Sequence, residues 1–489
     1  MQYRRLMIKH ILAFLLFQAS SLSVHSAELP DLGAPDLIEY DQQTEEQLGR
    51  AFTTSLHTDY SLNYDPEVVS FVRKIGHKIA SQTGNHRNFR FYVINNDSIN
   101  AFAGPDGVIG IHTGLIQAVQ SEDELASVIA HEIAHVTQRH LSRRYEYQSN
   151  QGNIASIATM LAAILIGMQD TNAGMAALMG GMGYNMEQQL KNSRMHESEA
   201  DFKGIEFLQK ANYDPYAMGQ FFARLSKAGQ NNSSSLPEIL RSHPVTGHRL
   251  AEAENRAQTM PPLKTREPDN SLNLIKLRLN QANLQRDSHN LFFSENQSAA
   301  ENCYQLNLIN MNSPTNDEKM NKSRTCLWQL IKDNPQQILY SNLMMESIVK
   351  DQHKNKELLN RVLKYAEYQQ ALHPNDVSGL LRYADLLISL DKVELAQQTL
   401  ESRNENQKYQ YQVNQKLSEI YASQQKNAEA YYFQAVAQLN IGNTERSEYL
   451  LKKAEQNING TNFILEHKIF IFSNKYANLL KKDTKRPEQ

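Results

Sequence analysis

Glycine almost disappears from the second half of this chain. Of 21 glycines in 489 residues, only Gly379, Gly442 and Gly460 lie beyond residue 262. A stretch so poor in the residue that turns and bulges require is composed for helices. Excess charge is lacking too. A formal net charge of −3 offers no basic face, and this excludes a nucleic-acid-binding reading. Long apolar runs are missing as well. Ile11 to Phe17 and Ile154 to Met168 both fall short of the ~20 residues that a membrane span needs. Cysteine is scarce, with only Cys303 and Cys326. Neither has a histidine beside it that would mark a reactive thiol. In an oxidising compartment the pair bridges, and closing a loop of that size stabilises by about 3 kcal/mol. In the alternative they stay two buried thiols.

The length suits two or three domains rather than one core. Arg4, Arg5 and Lys9 precede a short apolar run, and a more polar stretch ends in Val24-His25-Ser26-Ala27. That order is the layout of a secretory signal over residues 1–27. It places the mature chain outside the cytoplasm. No cysteine lies near the cut, so no lipid anchor is expected there.

Residues 28–262 read as one α+β domain, mostly helical with a small sheet. Glu45 to Gln82 reads as helix, with Val68, Phe71, Val72, Ile75 and Ile79 at helical spacing. Phe89 to Ile94 and Val108 to His112 read as strands, with a turn at Asn95 to Ser98. A helix from Glu122 to about Tyr145 follows. The apolar segment 154–182 suits either a buried helical hairpin or a membrane-surface or partner-binding element, because methionine-rich surfaces adapt to many partners. The turn-rich stretch from Met260 to Asn270 reads as a linker.

Residues 263–489 read as an all-α domain with internal similarity. Leu380-x3-Ala384-x2-Leu387-x3-Asp391-x4-Ala396-x3-Leu400 aligns with Tyr431-x3-Ala435-x2-Gln438-x3-Gly442-x4-Ser447-x3-Leu451. Small residues sit where paired helices would cross. The spacing resembles a tetratricopeptide repeat, though an irregular one, and such arrays offer a concave face to partners.

The sharpest signal is His131-Glu132-Ile133-Ala134-His135. On a helix, positions i and i+4 share a face. Two imidazoles there can hold one Zn²⁺, and Glu132 can take a proton from its water. The flanking residues are apolar, and polar groups in such a run are costly without partners. A catalytic zinc also needs a third protein ligand. Glu197, in Glu197-Ser198-Glu199-Ala200-Asp201, is the candidate, with neighbouring His196 as the alternative. Asp201, four residues on, can orient a ligand histidine through its far nitrogen. Glu199 falls on another face. So does His140, five residues past His135.

Together, Asn100-Ala101-Phe102-Ala103, the His131 motif, Glu197-x-x-Ala200-Asp201 and Ser242-His243-Pro244 resemble the M48 metallopeptidases. Within that family the periplasmic members with a C-terminal tetratricopeptide domain match best. The resemblance covers roughly residues 30–262. It implies one zinc per chain on His131, His135 and Glu197, with Glu132 as general base. It also implies a periplasmic protease acting on unfolded or misassembled outer-membrane proteins. The repeat domain would dock on the β-barrel assembly machinery, and a chaperone-like role would accompany proteolysis. The rival reading is a non-catalytic repeat adaptor with a structural metal.

Three further assignments stay open. Pro244 keeps His243 extended, so its ring could fill the fourth metal position, stabilise an oxyanion or merely cap a turn. Arg249 could serve the oxyanion too. A strand at Asn100, Ala101, Phe102 and Ala103 could pair with an extended substrate.

Overall fold

The computed structural model describes residues 42–84, 87–143, 186–231, 237–267, 269–281, 297–311, 317–351, 356–404, 411–458 and 462–476. The expected signal segment and the apolar segment 154–182 lie outside them. No helix among the described residues is long and apolar enough to cross a membrane.

The N-terminal part is helical around a small sheet. Its first two helices are α1 (Gln42–Asp59) and α2 (Pro66–Ala80). The single helix expected from Glu45 to Gln82 is therefore corrected to two. Pro66 takes the first turn of α2, where its missing N–H costs nothing. Asp65 caps that helix by accepting from the Glu67 and Val68 N–H groups.

Three strands follow: β1 (Arg90–Ile94), β2 (Ala101–Ala103) and β3 (Val108–His112). The order is β1-β3-β2. β1 runs parallel to β3, and β2 pairs antiparallel with it, setting Phe102 opposite Gly110. β2 is thus an edge strand.

Helix α3 (Thr113–Ala118) leads to α4 (Glu122–Thr137), which carries the histidine motif. Ser121 caps α4 by accepting from Glu124 N–H, and Glu124 accepts from Gln120 N–H in return. Three acidic residues in the first turn complement the helix dipole. α4 ends at Thr137, eight residues short of the expected Tyr145, because Arg139 takes a left-handed φ of 55°.

Helix α5 (Met186–Lys210) packs along α4. Gly204 allows the approach: a β-carbon there would lie 3.3 Å from the His131 backbone nitrogen. Helices α6 (Ala217–Asn231), α7 (Glu238–Ser242) and α8 (Gly247–Gln258) complete this part.

From α9 (Ser271–Leu279) onward the described chain is all helix. The two aligned segments form helix pairs, Val377–Ser389 with Val393–Asn404 and Asn427–Asn440 with Thr444–Gln456. Asp391 and Gly442, matched in the alignment, both turn through positive φ, 59° and 83°. Ala384, Ala396, Ala435 and Ser447 are fully buried at the crossings. Cys303 and Cys326 are bonded, joining helices Ala299–Met311 and Asp317–Asp333.

One apolar core runs through both parts, from Val68 to Phe433. A buried ionic cluster crosses the same junction. Arg278 on α9 reaches Asp65 (Nε to Oδ2, 2.7 Å), Glu67 (3.0 Å) and Glu346 (2.5 Å). Arg382 grips Glu67 with two bonds of 2.8 Å. Arg278 and Glu67 are almost wholly buried. Removing one partner of such a cluster strands the rest. Arg278→Met is expected to destabilise by about 3–5 kcal/mol, read as a lower thermal midpoint. A loss below about 1 kcal/mol would be the behaviour of an exposed ion pair instead.

Candidate metal centre

Four side chains from three elements converge. His131 and His135 lie on one face of α4, Glu197 comes from α5, and His243 closes the end of α7. His131 Nε2 is 3.0 Å from His135 Nε2, 3.4 Å from Glu197 Oε2 and 3.3 Å from His243 Nδ1. His135 Nε2 is 3.5 Å from Glu197 Oε1, and His243 Nδ1 is 3.1 Å from the same oxygen. Ligand atoms around a tetrahedral ion with bonds near 2.0–2.1 Å sit roughly 3.3 Å apart. The measured separations bracket that spacing. Two imidazoles, a carboxylate and a third imidazole therefore fit a tetrahedral transition-metal ion. His196, the alternative ligand, stands apart: its ring stacks on His140 at 4.4 Å.

The electrostatics favour a cation here. Burial alone would depress the His131 pKa, but Asp201 and Glu197 raise it to about 10. His243 is also raised against burial, by Glu197 and Glu132. Burial acts to raise Glu197, yet His243, His131 and His135 hold it well below the usual carboxylate range. His135 goes the other way, since burial drops it well below the ordinary histidine value, and a neutral imidazole beside an ionised carboxylate is a pairing that can take up a metal ion.

Asp201 sits behind the cluster, as its spacing from Glu197 predicts. Its Oδ1 is 2.9 Å from His131 Nδ1. Arg249, near the start of α8, binds Asp201 through Nε (2.6 Å) and Nη2 (2.9 Å). Its Nη1 donates to the Pro244 carbonyl at 2.7 Å and lies 3.1 Å from Glu197 Oε2. The guanidinium is buried and engaged on every side by its own chain. This differs from the expected oxyanion role, because its donors already face carboxylates.

Glu132 is buried, and among the described residues neither carboxylate oxygen has a full hydrogen-bond partner. Burial raises its affinity for a proton, partly offset by His243 and His131. His243 Nε2, at 3.6 Å, and the Ala103 backbone are polar groups that act on it. The outer edge of β2 thus faces the motif helix. Phe102 turns the other way and packs edge-on against Phe52 at 6.0 Å, half-buried against the small apolar cluster that Phe52 belongs to. Asn100 donates to Glu238 Oε1 at 2.9 Å, and Ile239 N–H donates to the Ile99 carbonyl at 3.0 Å. These bonds pin the His243 segment across the start of the edge strand.

One group is not legible from helical spacing. That spacing turns His140 and Glu199 away from the ligand face, yet both lie behind His135. His140 Nδ1 is 2.8 Å from His135 Nδ1, and His140 Nε2 is 3.2 Å from Glu199 Oε2. Only the second glutamate of Glu197-x-Glu199 hinted at it.

Two histidines one turn apart, an acid from a second helix and a buried glutamate beside them define a metal-dependent peptidase site. Residues 68–257 match the model of peptidase family M48, so that stretch of the chain is similar to the metallopeptidases of that family. The chain is 36% identical over 255 residues to the β-barrel assembly-enhancing protease of Escherichia coli K12, covering 52% of each chain. Against the protease of the same name from Yersinia pestis it is 35% identical over 252 residues, 51% of each. The mitochondrial metalloendopeptidase OMA1 of Arabidopsis thaliana is 32% identical over 152 residues, 31% of this chain and 28% of that one. The match thus spans about half the length of the two bacterial relatives.

Proposed function

We propose that this chain is a zinc-dependent endopeptidase of the periplasm that degrades misassembled outer-membrane proteins and assists their assembly. The observation that carries the reading is the convergence of His131, His135 and Glu197 beside a buried Glu132 that has no full hydrogen bond among the described residues. Those three residues would hold a zinc ion, which when bound would supply Lewis-acid chemistry to activate water and the scissile carbonyl. Glu132 takes up the water's proton and passes it to the leaving amine. Asp201 fixes the tautomer of His131, while Arg249 holds Asp201 and Glu197 in place. An extended substrate pairs with the outer edge of β2, where Ala101 and Ala103 leave room.

His243 fills the fourth position of the donor set, where water must enter for catalysis. In this reading it blocks the resting site. The segment 1–27 is the export signal, 28–262 the peptidase domain and 263–489 a tetratricopeptide-like domain. That repeat domain docks on the β-barrel assembly machinery, in keeping with the names of the bacterial relatives. Segment 154–182 is a candidate membrane-surface contact.

The test is cleavage of an unfolded polypeptide by the purified chain. The expected result is hydrolysis that a zinc chelator abolishes and added zinc restores. His243→Ala is expected to raise the rate. A lowered rate would instead make His243 a catalytic group, and chelator-resistant cleavage would overturn the zinc reading.

A further inference from the structure

His140 owes its place to a break in the helix. On a continuing α4 it would point well away from His135, five residues back. Instead the helix closes at Gln138, and Arg139 takes the left-handed φ of 55°, a conformation that a β-carbon disfavours. Such strained residues persist where the surrounding structure holds them, often next to functional sites. The turn swings the His140 ring against the far side of His135. His140 is buried, and its ring lies flat on His196, 13° from parallel. Behind it, Arg143 Nη2 holds Glu199 Oε2 at 2.6 Å.

Donor and acceptor roles along this chain follow from one end. An ionised carboxylate only accepts, so His140 Nε2 donates to Glu199. A neutral His140 then has a bare Nδ1, which accepts. His135 Nδ1 therefore donates, and its Nε2 is left bare towards Glu197 and His131. His140 is not itself a ligand, because it meets His135 on the ring nitrogen opposite the donor cluster. The two motif histidines are thus oriented differently. His131 meets a carboxylate directly, through Asp201, whereas His135 reaches one through a second imidazole.

We infer that His140, backed by Glu199 and Arg143, is a positioning residue that locks His135 in its metal-binding tautomer. The inference rests on the metal-centre reading above. Outer partners of this kind are worth about 10–100-fold in metal affinity.

The test measures zinc affinity of the full chain by competition with a chromophoric chelator, alongside the thermal midpoint of the metal-free protein. His140→Ala is expected to weaken zinc binding about 10–100-fold with the metal-free midpoint unchanged. His140→Asn, whose amide oxygen can take over the role of Nδ1, is expected to restore most of the affinity. Glu199→Ala is expected to weaken binding less, and to add nothing to His140→Ala, since the two act in series. Wild-type affinity in His140→Ala would overturn the inference. So would equal weakness in His140→Ala and His140→Asn with a lowered metal-free midpoint, the mark of a packing role. If His140→Ala does not fold, wild-type affinity in Glu199→Ala would overturn it as well. A wild-type chain that binds no zinc would overturn the metal centre itself, which is a different failure.

Discussion

Glu132→Gln is expected to leave the metal content unchanged and to slow peptide cleavage by roughly 10²–10⁴-fold, the usual worth of a general base. The substitution keeps the shape of the side chain and replaces none of the four clustered donors. It removes only the ability to take a proton. The site is built for that one property. Glu132 is buried, no full hydrogen bond from the described residues occupies either oxygen, and burial raises its proton affinity. A carboxylate kept in that state is costly unless something needs it. Metal per chain and the initial rate on an unfolded polypeptide, measured on one preparation, separate the two expectations. Full activity in the variant would reject the mechanism. A chain acting only as an adaptor with a structural metal would show no cleavage to lose.

The parts of the fold legible in the sequence are those set by short-range pattern. β3 lies where its β-prone run lies, and β1 starts one residue inside its own. The repeat alignment matched Asp391 with Gly442, and both take positive φ. Helix ends were less legible. Pro66 divides the first helix, a signal that the apolar spacing of Val68 to Ile79 masked. Nothing in the residue type of Arg139 announces a left-handed turn, since arginine continues helices well. That one conformation decides where His140 points.

The site divides in the same way. His131, Glu132 and His135 follow from helical geometry alone, and Asp201 follows from its spacing to Glu197. His140 and Glu199 do not, because their meeting depends on how α4 ends and how closely α5 approaches it. Arg249 lies beside the cluster, and its donors face Asp201, Glu197 and Pro244. Sequence alone cannot tell which carboxylate a guanidinium will find. The ionic cluster of Arg278, Asp65, Glu67, Glu346 and Arg382 was invisible for the same reason. Arg382 lies 315 residues from Glu67.

In the proposed function, Glu197 completes the metal site begun by the two motif histidines. Metal analysis of the purified chain and of Glu197→Ala tests it most directly. The expected result is about one zinc per wild-type chain and little in the variant, whose two histidines alone fall short of the usual three protein ligands. Equal zinc in both proteins would contradict the account.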